Sequence, residues 1–68
     1  MFWNKTIFAV QGNYPNIHVS EYKFIAQDRY NYCLRQKEGN ISILSKDVCF
    51  NSKIDALEYQ NKLIQNQK

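Results

Sequence analysis

Sixty-eight residues leave room for one domain at most, near the lower size at which a chain folds without disulfides or bound metal. A hydrophobic fraction of 44% with 15% aromatics provides for a packed interior and excludes a disordered chain, and no apolar run approaches the ~20 residues that span a bilayer. The formal net charge of +3 comes largely from scattered lysines, only Arg35 and Lys37 lying close together, which is no basic arm of the nucleic-acid-binding kind.

Phe2 and Trp3 give an apolar start that Asn4, Lys5 and Thr6 interrupt before a signal-type apolar stretch can form, so no secretion signal is expected. Residues 4–11, NKTIFAVQ, read as a first strand, ended by the turn formers Gly12-Asn13-Tyr14-Pro15-Asn16. A long second strand, 17–26, changes phase: Ile17 and Val19 share one parity, and Tyr22, Phe24 and Ala26 the other. A bend near Ser20 and Glu21 reconciles them and curls the sheet. A three-residue loop, Gln27-Asp28-Arg29, then leads to a third strand at 30–36, pairing Ala26 with Tyr30, Phe24 with Tyr32, Tyr22 with Leu34 and Glu21 with Arg35.

Lys37-Glu38-Gly39-Asn40 is the clearest turn, because Gly39 and Asn40 both tolerate positive φ. It introduces a fourth strand at 41–45, with Leu34 opposite Ile43 and Cys33 opposite Leu44. A tight connection at Lys46-Asp47 would return a short strand, 48–50, alongside the fourth, setting Phe50 against Ile43 and Cys49 against Leu44. The expected inner face is Tyr22, Phe24, Tyr32, Leu34, Ile43 and Phe50. The period then becomes helical over 52–66, with Asn51 or Ser52 as cap and Asp55 in the first turn. Ala56, Leu57, Leu63 and Ile64 share one side, flanked by Ile54 and Tyr59, and Gln60 in the middle of that arc asks for a hydrogen-bond partner. The expected fold is α+β: a curled antiparallel β-meander of four to five strands, an SH3-like small barrel or an open sheet, with one C-terminal helix, all in a single domain over 1–68.

Catalysis needs nucleophile, acid and base gathered in a cleft, and so short a chain has little volume for one; His18 beside Ser20 has no acidic residue placed to orient it. Two cysteines and one histidine match no metal-ligand spacing, so no enzyme, metal site or cofactor is expected. The register puts Leu44 between Cys33 and Cys49, too far apart for a disulfide, and makes Ile25, Cys33, Leu44 and Cys49 an apolar row away from the inner face. In an open sheet that row is a candidate interface for a protein partner or a second copy; in a closed barrel Phe2 and Trp3 would cap it. The alternative is a nucleic-acid surface in which Tyr30 and Tyr32 stack on bases while Arg29 and Arg35 hold phosphate.

The stretch Val48-Cys49-Phe50-Asn51-Ser52-Lys53 followed by Ala56-Leu57 resembles the strand-cap-helix ending, F-x-S-K-x-x-A, of small accessory proteins carried by bacteriophages and plasmids, with Ile54 and Asp55 in place of the acidic pair usual there. The resemblance spans about ten residues and supplies no functional ones. It implies a compact protein that acts by binding, often to a host protein, in the reducing cytoplasm, which is the host's if a phage encodes it. No membrane role is expected.

Overall fold

The computed structural model describes residues 5–66, so Phe2, Trp3 and Asn4, with the roles expected of them, lie outside the described residues. In chain order the elements are β1 (Thr6–Gln11), β2 (His18–Gln27), β3 (Asn31–Arg35), β4 (Ile41–Ser45), a 3₁₀ turn (Lys46–Val48), β5 (Cys49–Phe50) and α1 (Lys53–Asn66). The strands form one open antiparallel sheet in the order β4-β3-β2-β1-β5, so the fold is α+β with a β-meander and a C-terminal helix.

Side chains alternate across a strand, so the pairings sort the sheet into two faces. Ile7, Ala9, Tyr22, Leu34 and Cys49 form a buried cluster on one face, with Phe24, Tyr32, Leu44 and Val48 packed against it. Ile7 and Leu34 are wholly excluded from solvent on the face opposite α1, and Val48 of the 3₁₀ turn is among the side chains packed against their cluster. On the helix face Val10, Ile17 and Ala56 form a second cluster with Phe8, Val19, Phe50, Tyr59, Leu63 and Ile64 around it.

Local chemistry explains the helix and its seat. Ser52 caps it, its Oγ accepting from the Ile54 N–H at 3.2 Å, and Asp55 sits in the first turn where the helix dipole favours a negative charge. Gln60 meets the expectation for a polar residue in an apolar arc: its Nε2 donates to the Ile17 carbonyl at 2.8 Å, tying helix to sheet. The contact arc is narrower than the sequence suggests, because Ile54 and Leu57 are exposed while Tyr59 takes the flanking position against Phe50, ring centroids 5.3 Å apart.

The register departs from expectation in three places. The β1–β2 ladder runs unbroken through Ser20 and Glu21, and the irregularity falls instead between Phe24 and Ala26. With Ile25 as the extra residue, Phe24 pairs with Leu34 and Ala26 with Cys33, and the three-residue β2–β3 loop moves on by one residue to Asp28–Tyr30. Asp28 explains where that loop begins, since its carboxylate accepts the N–H groups of Tyr30 and Asn31 at 2.9 and 2.7 Å. At the next turn three residues reverse the chain instead of four: Gln36 N–H donates to the Asn40 carbonyl, Gly39 takes φ 97°, and Cys33 faces Ile43 rather than Leu44. A slip of one residue exchanges faces, so Leu44 joins the inner cluster and Ile43 leaves it.

The third departure is β5, which pairs with β1, Phe8 with Phe50 and Ala9 with Cys49, and not with β4. Ser45 Oγ accepts from the Asp47 N–H at 3.2 Å, capping the 3₁₀ turn that carries the chain away from its own strand. Phe50 therefore lies on the helix face and Cys49 on the inner one.

Leu34 fills the centre of the inner cluster without solvent contact, so Leu34→Ala is expected to cost about 2–5 kcal/mol by lost burial and the cavity left behind. Ile54→Ala, on an exposed helix position, should stay within about 0.5 kcal/mol of the parent. Urea unfolding of the two variants checks both values.

Candidate functional site

The helix lies over β1, β5 and the start of β2, which leaves the same sheet face bare across β3 and β4. Cys33, Ile41 and Ile43 stand on that bare face, because Cys33 pairs with Ile43 and Arg35 with Ile41, all out of phase with the buried Leu34. The bulge adds Ile25 and Ala26: Ile25 points away from the inward Phe24, and Ala26 shares the face of its partner Cys33. Ile43 is 69% and Ile41 54% exposed, and Ile25 is exposed as well. A shallow depression of about 220 Å³ beside them is lined by Ala26, Gln27, Asn31, Cys33 and Ile43 among others.

This apolar patch adjoins an unpaired edge. The Gln36-to-Asn40 and Lys46-to-Tyr30 backbone bonds, at 2.8 and 2.9 Å, fix the phase of the β3–β4 ladder. Antiparallel ladders alternate bonded and non-bonded pairs, so Ser42 and Leu44 turn their backbone groups towards β3 and Ile41, Ile43 and Ser45 turn theirs outward. Among the described residues nothing pairs with that outer edge. The segment ISILS has no charge, proline or bulge, the features that usually blunt an edge. The opposite edge is β5, two residues long and running straight into the Ser52 cap of α1.

Of the expected interface row, Ile25 and Cys33 belong to this patch, whereas Leu44 packs against the inner cluster and Cys49 is buried within it. The four side chains do not form one row. Ile41 and Ile43 were missed, although the I-x-I spacing of ISILS was the signal for them; a register shifted by one residue assigned Ile43 to the interior. Both cysteines are free, for a different reason from the one expected: they stand on opposite faces of the sheet.

The expected nucleic-acid residues are also split. Arg29 and Tyr30 share the β2–β3 loop, the guanidinium 5.7 Å from the Tyr30 ring centroid, and Tyr30 is 69% exposed. Tyr32 faces inward, edge-on to Phe24 at 5.8 Å, with Lys46 Nζ 5.4 Å from its ring centroid. Arg35 lies at the far end of β3 on the other face, beside Thr6, Glu21, Lys23 and Lys37 around a cleft of about 280 Å³. Lys46 thus takes the place beside Tyr32 that the sequence reading gave to Arg35. His18 Nδ1 donates to the Asn16 carbonyl at 3.0 Å in an exposed loop corner. Among the described residues no three histidine, cysteine or acidic side chains gather as a metal site would require.

Burial raises the Cys49 thiol pKa, while Cys33 lies on the bare face, so a thiol reagent such as dithionitrobenzoate should label Cys33 in the folded protein and Cys49 only on unfolding. Timed labelling with and without urea, read by mass, checks the order. The two N–H groups donated to Asp28 hold its carboxyl below the ordinary carboxylate range. Because that folded-state value is depressed, the loop's contribution is complete above the unfolded value of about 3.9 and is lost as pH falls through the folded one. An NMR pH titration should show the Tyr30 and Asn31 amides following the Asp28 carboxyl at a midpoint below that of aspartate in a free peptide.

Set against known proteins, the chain matches no family model, no curated protein and no solved structure, so its functional reading rests on its own geometry.

Proposed function

We propose that this chain is a small non-enzymatic protein-interaction module or inhibitor, which binds a partner along the β4 edge and the apolar face beside it. The observation that carries the reading is the conjunction at β4 of outward backbone groups with the exposed Ile41 and Ile43. An added strand would gain affinity from main-chain hydrogen bonds, while Ile41, Ile43, Ile25 and Cys33 would select its alternate apolar side chains. No cofactor enters this reading. The strand-cap-helix resemblance supports a phage- or plasmid-borne accessory protein working in a host cytoplasm, and no helix of the described chain is long and apolar enough to cross a membrane.

Peptides selected from a random display library against the folded protein test it. Binders should alternate β-branched residues, shift the amides of Ile41–Ser45 in NMR titration, and weaken at least tenfold, ~1.4 kcal/mol, with Ile41→Lys. Shifts confined to other elements, or affinity unmoved by the substitution, would overturn the edge as the binding surface.

A second reading, a nucleic-acid-binding surface on this open sheet and not on the mini-barrel expected from the sequence, is favoured by one observation: two cations lie over two tyrosines at a single corner, Arg29 on Tyr30 and Lys46 on Tyr32. It requires binding of a single-stranded oligonucleotide that falls steeply as salt rises and is lost with Tyr30→Ala, with little effect of Arg35→Ala.

A further inference from the structure

The open edge has the pattern needed to pair with itself. We propose that its occupant is β4 of a second copy of the chain, paired antiparallel about a two-fold axis through Ile43; this rests on the reading of β4 as the binding edge and names the partner.

Backbone phase supplies the first argument. Ile41, Ile43 and Ser45 carry the outward groups, and in an antiparallel pair the residues that exchange hydrogen bonds must both be outward ones. Pairing Ile43 with its own counterpart sets Ile41 against Ser45 and Ser45 against Ile41, which satisfies every outward group of the strand with strand residues. A register shifted by two residues either way sets Ser45 against Gly39 in the turn or Ile41 against Asp47 in the 3₁₀ segment, neither of which continues a strand. Only the Ile43-centred register uses the whole of β4.

Side chains agree with that register. Ile43 meets its counterpart across the axis on the bare face, the Ile41 side chains flank them diagonally, and Leu44 faces Ser42 on the inner side, so each row continues a face that already exists. Charge agrees too. The strand is neutral, and its two ends each carry one lysine and one acid, Lys37-Glu38 and Lys46-Asp47. Antiparallel pairing about Ile43 sets Lys46 of one copy opposite Asn40 of the other and Asp47 opposite Gly39, so no like charges meet, whereas a parallel pair would stack each lysine on its twin. A closed two-fold also ends at two copies, because the remaining edge of each is the short β5.

Light scattering or sedimentation across a concentration series, with the fold of each variant confirmed by circular dichroism, tests the proposal. The parent should show a concentration-dependent dimer, and Ile43→Lys, which sets two ammonium groups face to face on the axis, should be monomeric throughout. The register has its own test in a Cys33→Ser background under copper-phenanthroline oxidation. Ile43→Cys should cross-link, its Cα atoms ~5.5 Å apart across the axis, and Ile41→Cys should not, its own copies lying over ~13 Å apart. A parent that stays monomeric at every concentration overturns the self-pairing, as does a dimer indifferent to Ile43→Lys or cross-linking at position 41 alone. Library peptides that still bind β4 in a monomeric parent would overturn the second copy as occupant while sparing the edge as a binding surface; loss of both would overturn both.

Discussion

The 3₁₀ turn at Lys46–Val48 determines which strands lie at the edges of the sheet. Had the chain reversed tightly after Ser45, β5 would have covered β4 and the sheet would present its edge at β1. With Ser45 capping the Asp47 N–H, the chain crosses to the other side and lays Cys49 and Phe50 against Ala9 and Phe8. The crossing seals the inner cluster, since Val48 and Cys49 both pack into it, and it brings α1 over β1 and away from β3 and β4. Core closure and edge exposure are thus consequences of one local hydrogen-bonded turn.

The two faces of the sheet differ in how their apolar residues are covered. The inner face is apolar along nearly its whole width, from Cys49 through Ile7, Tyr22 and Leu34 to Leu44, with Val48 of the 3₁₀ turn packed against it. The outer face is apolar at both ends and polar between, where Thr6, Lys23 and Arg35 stand side by side across three strands. That polar band separates the part of the face that α1 covers from the part that remains bare. The extra residue at Ile25 lies on the bare side, where a bulge re-aims two successive side chains to one face and enlarges the apolar surface without lengthening the strand.

Much of the fold was legible in the sequence because it rests on signals carried within a few residues. The strand segments, the Gly39 turn, the Ser52 cap and the demand of Gln60 for a partner are all of that kind. The register was not, because each strand pair can slip by one residue at little local cost and the arbiter lies elsewhere. Asp28 sets one loop a residue further on by accepting two N–H groups, an Asx-type preference that competes with the favourable Glu21–Arg35 pair and wins; Lys23 faces Arg35 instead. That loop and the bulge at Ile25 together set β3 two residues, and beyond the bulge three, from where pairing of apolar residues alone would place it. The candidate site followed the register, so Ile25 and Cys33 were legible as surface and Ile41 and Ile43 were not.

The exposed edge bears on how so short a chain stays folded. Among the described residues its two buried clusters contain eight, several of them small, and an interior of that size supports only a few kcal/mol of net stability. Whatever binds the folded β4 edge and not the unfolded chain adds its own free energy to that margin, about 2.7 kcal/mol at a hundredfold excess over the dissociation constant. The addition is comparable to the margin itself, so any association at β4 would be coupled to folding. A charge or a proline within ISILS would blunt the edge against aggregation and would also remove that contribution. The neutral alternation of ISILS is therefore understandable as a compromise set by size: the strand too short to aggregate readily, the edge open enough to be completed.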